Sequence, residues 1–468
     1  MKRLIYIIIF AVILAVLGWM TYFYVFKKEK VAPAIYSDLP QIKESGELTV
    51  LTLFSSVSYF IYKGEEMGYE YELIKNFAES QNLKLNIKVA ENENRLLQML
   101  EAGEGDVAVY NIPVTNPNKE KFIYCGQEVI NKQVLVQRAS AKDTILTDVT
   151  ELIGKEVWVI DKTKYQQRLI NLNNELGGGI NIKEIEKDTV SVEDLIAMVS
   201  TGTIPYTLSD NDIARLNRTY YSNININLEV SHPQRSSWVV NKDSYQLAGA
   251  LDTWFENNKN TPRYRAIMKR YFEMSKMPGG EPAPMLGKGK ISIYDDIFKQ
   301  YAPKINWDWK LLASMAYQES RFRLEDESWA GAVGLMGLMP KTAETFGITA
   351  NERVFPEPSV RAGVAYIRSL QRSFAKVEDK DEQVKFILAS YNAGIAHILD
   401  AQALARKYGK NPYCWDDNVV ECLKWKQLPE FYNDSVCKYG YFRGTETLNY
   451  VHQVVDRWNY YKEKIDSE

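Results

Sequence analysis

Trp309 to Phe322 of this 468-residue chain reads WKLLASMAYQESRF, an apolar helical pattern interrupted by one residue that can move a proton. Leu312, Met315, Ala316, Glu319 and Phe322 fall three or four positions apart, so one helical face carries all five. A carboxylate on such a face is costly to bury without a partner. Two readings stand side by side. Glu319 is a structural glutamate satisfied by a helix end or a nearby donor, or it is an acid whose partly dry surroundings let it keep a proton for a substrate. Breaking a glycosidic bond calls for the second.

The residues that follow favour the acid. Ser328-Trp-Ala-Gly-Ala-Val-Gly-Leu-Met-Gly-Leu-Met-Pro340 sets glycines at 331, 334 and 337, where backbone can approach a ligand and expose its amides. Leu388-Ala-Ser-Tyr-Asn-Ala-Gly394 and Glu446-Thr-Leu-Asn-Tyr-Val451 come later. His232, His397 and His452 are scattered and no zinc-type spacing occurs, so neither a metal nor another cofactor is expected. A net charge of -3 leaves no basic excess for nucleic acid.

Glu-Ser-x-Phe at 319–322, Ser-x-x-Gly-Ala-x-Gly-Leu-Met at 328–336, Tyr-Asn-Ala-Gly at 391–394 and Tyr-Val at 450–451 resemble, in order and spacing, the soluble-lytic-transglycosylase domain, a relative of goose-type lysozyme. The resemblance implies a peptidoglycan glycan strand as substrate and Glu319 as general acid, then base. It places Ser328 near the scissile sugar and has Gly334, Leu335 and Met336 shape the cleft wall. Tyr391 and Asn392 then contact the glycan, and Tyr450 approaches the glutamate from the last helix. Many members carry glutamine after Gly-Leu-Met; Gly337 stands there, so that sugar contact is absent. The implied reaction is non-hydrolytic cleavage between N-acetylmuramic acid and N-acetylglucosamine, giving a 1,6-anhydromuramyl end.

A hydrolytic muramidase is the alternative, with a second carboxylate drawn from Glu325, Asp326 or Glu327; a solvated acidic loop is the other role for those three. A non-catalytic cell-wall or solute-binding receptor is the reading from a different class. Glu319 together with Ser328 and the Tyr-Asn-Ala-Gly turn argues against it.

These residues need a framework, and the chain is too long for one core. Met277 to Gly289 (MPGGEPAPMLGKG) breaks any regular element and separates two domains. The expected bounds are 1–30 for an anchor, 31–44 for a tether, 45–275 for an α/β domain, 276–291 for a linker and 292–468 for a mostly α, lysozyme-like domain. Upstream of the break, strands at Leu48 to Leu53, Leu85 to Val89 and Asp106 to Tyr110 alternate with helices at Tyr69 to Gln81 and Arg95 to Ala102. A second α/β unit opens with the strand Glu156 to Ile160. The pattern returns with a strand at Ser236 to Asn241 and a helix at Leu247 to Asn258. A chain that leaves one lobe, builds another and returns makes a two-lobed, hinged domain.

Gly68-Tyr-Glu-Tyr-Glu-Leu-Ile74, Gly105-Asp-Val-Ala-Val109, Thr115 with Lys119 to Tyr124, and Gly202 to Asp210 resemble the family 3 extracellular solute-binding proteins. The arginine that clamps a ligand carboxylate in amino-acid binders is missing; the position falls near Asn118, beside Lys119. Thr115 and Asp210 remain the ligand candidates, and the domain is expected to be regulatory or targeting, with stem peptides or muropeptides as ligand.

Leu4 to Phe26 is an almost unbroken apolar run, long enough to span a bilayer. It reads as a signal anchor with the rest exported, a cleaved signal being the alternative. The expected place is the periplasmic face of the bacterial envelope, on the inner membrane, with the outer membrane also open. Anchor, solute-binding domain and transglycosylase domain in that order resemble the F-type membrane-bound lytic murein transglycosylases over nearly the whole chain. Cys414, Cys422 and Cys437 lie close in sequence, and either one pair forms a disulfide or the thiols are free.

Overall fold

The computed structural model describes residues 36–466 apart from 141, 187–189, 277–286 and 288. The Leu4 to Phe26 run and most of the expected linker lie outside the described residues. The first lobe is a five-stranded sheet of order β4-β1-β5-β12-β6, formed by β1 (Glu47–Leu53), β4 (Lys84–Ala90), β5 (Val107–Pro113), β6 (Phe122–Asn131) and β12 (Gln234–Asn241). Strands β4, β1 and β5 run parallel because helices Tyr69–Ser80 and Glu93–Glu101 connect them; β12 is antiparallel to both β5 and β6.

The second lobe has strand order β11-β7-β10-β8-β9, from β7 (Gln133–Arg138), β8 (Glu156–Ile160), β9 (Asn181–Ile185), β10 (Tyr206–Asp210) and β11 (Ile224–Asn225). The chain crosses between lobes at residues 131–133 and again at 231–234, which makes a two-strand hinge. Lys132 and Glu229 pair across it at 2.7 Å.

Residues 39–44, assigned above to a tether, form all but the last residue of the helix Leu39–Ser45 and bury Ile42 in the first lobe. Asp38 caps it in a capping box with Gln41, and Pro40 fits the first turn, where no amide hydrogen is needed. The same carboxylate accepts the Leu247 amide at 2.8 Å and so ties the segment to the lobe's return helix.

Beyond residue 290 the chain is helical among the described residues, apart from isolated bridges such as Val333 with Leu338. Leu312, Met315 and Ala316 on helix Trp309–Ser320, Phe386 and Ile387 on helix Lys380–Ala393, and Val454 on helix Gly444–Asp466 share one core with no exposed surface. Helix Trp309–Ser320 stops two residues short of the stretch read from the sequence. Arg321 and Phe322 adopt left-handed backbone (φ 51° and 62°), and Phe322 folds back to pack on Tyr317.

The element that matters most for the site has no counterpart in the sequence reading. Strands β2 (Phe60–Tyr62) and β3 (Glu65–Met67) form a hairpin that projects from the first lobe onto the helical domain. Its two-residue loop is Lys63-Gly64, with φ of 50° and 79°, as a type I′ turn requires.

Candidate active site

Glu319 lies in the last turn of helix Trp309–Ser320, with its side chain only 5% exposed. Asp308 caps the start of that helix through the Lys310 amide at 3.0 Å, and also accepts the Trp458 indole N–H at 2.9 Å. Ser314 donates to the Val454 carbonyl (2.7 Å), and Gln318 to Gln453 (2.8 Å). Helix Gly444–Asp466 is thereby fixed alongside, and its Tyr450 hydroxyl donates to Glu319 Oε1 at 2.6 Å. Burial, and then the glutamate itself, push the Tyr450 hydroxyl well above the usual tyrosine range, so it remains a donor.

The 328–339 loop closes the other side. Val333 and Leu338 exchange backbone bonds at 3.1 and 3.2 Å around a turn in which the Gly337 amide donates to the Gly334 carbonyl at 3.0 Å. Gly337 has φ 56° and sits directly against the acid: a Cβ there would lie 2.2 Å from Glu319 Oε2. A glutamine in this position would collide with the carboxylate as it is now placed. Gly334 abuts the Arg353 carbonyl, while the Arg353 guanidinium donates to the Gly331 and Leu338 carbonyls at 3.0 and 2.8 Å and pins the loop.

The other residues named from the sequence divide. Tyr391 is buried and donates from its hydroxyl to the Met336 carbonyl at 2.8 Å. Leu335 and Met336 are fully buried, so they support the wall from behind and do not line it. Asn392 accepts a bond from Thr447 at 2.7 Å and joins two helices, with 5% exposure. Ser328 is exposed, and its hydroxyl accepts the Ala332 amide at 3.0 Å; its bonds close its own turn and do not reach Glu319. Glu325, Asp326 and Glu327 are exposed, with Asp326 paired to Arg323.

Three residues of the site were not singled out from the sequence. The hairpin brings Lys63 into the site, where its Nζ donates to Glu319 Oε2 at 3.1 Å and lies 5.9 Å from the centre of the Tyr391 ring. Its backbone amide donates to the Ala393 carbonyl at 3.1 Å. Next to it, the Ile61 carbonyl accepts from His397 Nε2 at 2.8 Å. Glu446 is half-buried one helical turn before Tyr450, takes a 3.4 Å bond from the Tyr62 hydroxyl, and is raised in pKa by the loss of solvent around it.

A second contact joins the domains. Glu193, at the start of helix Val192–Thr201 in the second lobe, accepts the Tyr441 hydroxyl at 2.6 Å, a bond from Ser56 of the first lobe, and the Arg443 charge at 3.7 Å. Arg443 also donates to Asn217 at 2.9 Å and stacks 3.9 Å over Tyr220. Both lobes and the helical domain therefore meet at one buried carboxylate.

Beside this clasp, a cleft of about 510 Å³ opens between the lobes, lined by Glu93, Tyr110, Lys164, Asp210 and Asp212, with Gln427, Tyr432 and Tyr441 added from the helical domain. Asp210 lies in it, bonded by Lys164 and by the Tyr165 hydroxyl at 3.2 Å. Burial, reinforced by Asp210, pushes Asp212 up to about 6. Thr115 does not line the cleft. It caps helix Asn116–Lys121 through the Asn118 amide at 3.3 Å, and the Asn118 side chain donates to the Pro113 carbonyl. All four cysteines carry free thiols.

Among the described residues no cluster could hold a metal ion, and no helix is long and apolar enough to cross a membrane.

The comparisons agree with this two-part build. Residues 42–274 match the family described as bacterial extracellular solute-binding proteins, family 3, and residues 296–414 match the transglycosylase SLT domain. A membrane-bound lytic murein transglycosylase F from Desulfosudis oleivorans is 30% identical over 427 residues, covering 91% of this chain and 92% of that one. Proteins of the same name from Pseudomonas fluorescens and Stutzerimonas stutzeri are 29% and 30% identical, covering 88% and 89% of this chain and 84% of each relative.

Proposed function

Because this chain belongs to the membrane-bound lytic murein transglycosylase F family, we infer that Glu319 is the acid, and then the base, of a non-hydrolytic cleavage of peptidoglycan between N-acetylmuramic acid and N-acetylglucosamine. The observation that carries this reading is the 2.6 Å bond from Tyr450 to Glu319 Oε1. It fixes the carboxyl group in one orientation, so that Oε2, which holds the Lys63 ammonium here, is the oxygen left for a glycosidic oxygen once Lys63 departs.

Glu319 gives its proton to that oxygen as the bond to the muramyl C1 breaks. The neighbouring acetamido oxygen stabilises the cation-like carbon, and the glutamate then takes the proton from the sugar's own C6 hydroxyl as O6 bonds to C1. One carboxylate serves both steps and no water is consumed. A hydrolase would need a second carboxylate to activate water. Glu325, Asp326 and Glu327 face solvent, and the half-buried Glu446 is held by the Tyr62 hydroxyl, which argues against a second carboxylate positioned for water. Tyr391 and Gly337 border the reacting carboxylate.

The N-terminal domain regulates this site. With Lys63 on Oε2 and Tyr450 on Oε1, both oxygens of Glu319 are engaged and no glycosidic oxygen reaches them. The form described here is therefore closed, and a ligand in the interlobe cleft that moves the second lobe would pull on Glu193 and its partners Tyr441 and Arg443. The substrate is an envelope polymer, which agrees with an exported chain tethered at a membrane.

The test is mass spectrometry of purified sacculi digested by the full chain and by Glu319→Gln. The expected result is anhydro-ended muropeptides from the wild type alone. Reducing-end products would mean hydrolysis instead.

A further inference from the structure

The hairpin is attached to the helical domain by a particular edge. In an antiparallel pair, alternate residues direct their backbone groups toward the partner strand. Tyr62 closes the two-residue loop opposite Glu65, and Phe60 pairs with Met67, so the Ile61 carbonyl and the Lys63 amide hydrogen project from the opposite edge of β2. That edge meets two catalytic-domain groups. His397 Nε2–H donates to the Ile61 carbonyl at 2.8 Å, and the Ala393 carbonyl accepts the Lys63 amide at 3.1 Å. The pair brackets one residue of an extended peptide.

The donor is fixed from behind. Lys426 Nζ donates to His397 Nδ1 at 3.1 Å and to Asp400 at 2.6 Å, and Asp400 also accepts the Lys438 and Tyr439 amides at 3.1 and 3.0 Å. With Nδ1 occupied as an acceptor, the ring proton stands on Nε2. Phe442 stacks on the ring at 4.3 Å and fixes its plane. Burial, and then the Lys426 charge, hold the imidazole well below its ordinary range, so it stays neutral. His397, Asp400 and Lys426 belong to the domain that carries Glu319, whereas the carbonyl they serve belongs to the other domain. Once the hairpin leaves, the N–H and C=O that it covered lose these partners and are open to another peptide edge.

We propose that His397 Nε2–H and the Ala393 carbonyl form a peptide subsite of the catalytic cleft, which the hairpin edge occupies by mimicry and which takes the first residue of a stem peptide in the substrate. The inference rests on the reading of Glu319 as the acid of a murein transglycosylase. The muramyl lactyl carbonyl precedes that first amino acid and a peptide N–H follows it, the same order of acceptor and donor that flanks Tyr62. One acetamido group does not fit both contacts, because the N–H and C=O of a single trans amide point in opposite directions.

The experiment uses the full chain carrying Lys63→Ala and compares intact glycan strands with strands stripped of stem peptides by a muramoyl-alanine amidase. Binding is measured with Glu319→Gln added, so that nothing is turned over, and kcat/KM is measured without it. His397→Leu is expected to lower the ratio of peptide-bearing to stripped strands about tenfold in both readouts, equivalent to ~1.4 kcal/mol, mostly through KM. His397→Gln keeps an N–H donor and is expected to restore part of the ratio. A purely structural role for His397 would lower binding and turnover on both strands together, and an unchanged ratio in His397→Leu overturns the subsite. Should no variant release anhydro ends, the transglycosylase reading fails, while the binding ratio still decides this one.

Discussion

Lys63 and Glu319 lie 256 positions apart in the chain and form a 3.1 Å ion pair in which the two side chains are 10% and 5% exposed. A buried pair of this kind contributes little net stability, yet removing one partner typically costs about 3–5 kcal/mol because the other charge stays buried alone. The contact is therefore suited to a switch. It holds while the hairpin is docked, and it resists partial opening in which one charge is left behind.

Gly337→Ala should separate catalysis from folding. The new Cβ would meet Glu319 Oε2 at 2.2 Å, and φ 56° is a backbone that alanine adopts only at a cost of about 1 kcal/mol. The carboxylate must shift by an ångström or so, for which about 100-fold in turnover is a reasonable measure. Steady-state release of muropeptides, set beside a thermal melt, checks it; full activity would place the reacting carboxylate elsewhere.

Arg443→Met should loosen the clasp between the two lobes and the helical domain. It leaves Glu193 buried without its nearest positive charge, and the expected loss is roughly 3–5 kcal/mol. The readout is the denaturant midpoint together with the rate of proteolytic nicking between the domains. An unchanged midpoint would mean that Glu193 is satisfied by Tyr441 and Ser56 alone.

Glu70 should make stability depend on pH. Burial pushes it up to about 7, against weak opposing bonds from Ser58 and Trp238, and Asp212 adds to the rise. The folded chain thus holds a proton between about pH 4.5 and 7 that the unfolded chain has released, so stability falls as pH rises through that window. Glu70→Gln removes the effect. Relative to wild type, the variant should gain up to roughly 3 kcal/mol between pH 4.5 and pH 8. Melting curves of both proteins at the two pH values test it, and a constant gap would mean that Glu70 is not titrating there.

What could be read from the sequence was what repeats at short range. Glu319 stood out because helical spacing put a carboxylate among Leu312, Met315 and Ala316, and Tyr450 came with a motif on the last helix. The first-lobe strands declared themselves by apolar runs and the helices between them by period. Lys63 gave no such signal. Its role depends on a two-residue turn with a lysine in left-handed backbone, and on a contact across two domains. Glu446 could have been found, since it precedes Tyr450 by one helical turn and shares its face. His397 could not, because its partners Lys426, Asp400 and Ile61 converge only in the folded chain. Ser328 and Thr115 make local bonds that the sequence reading did not foresee, for a common reason: short hydroxyl side chains are as readily used to close turns and cap helices as to meet ligands.

The central claim is that Glu319 performs the cleavage and that Lys63 withholds it. The most direct measurement is the initial rate of anhydro-muropeptide release from purified sacculi by the full chain, by Lys63→Ala, and by Lys63→Ala with Glu319→Gln. The account predicts a rate at least about tenfold higher for Lys63→Ala, as the competent fraction rises, and none for the double variant. A folded Lys63→Ala protein no faster than wild type, or release that survives loss of Glu319, would contradict it.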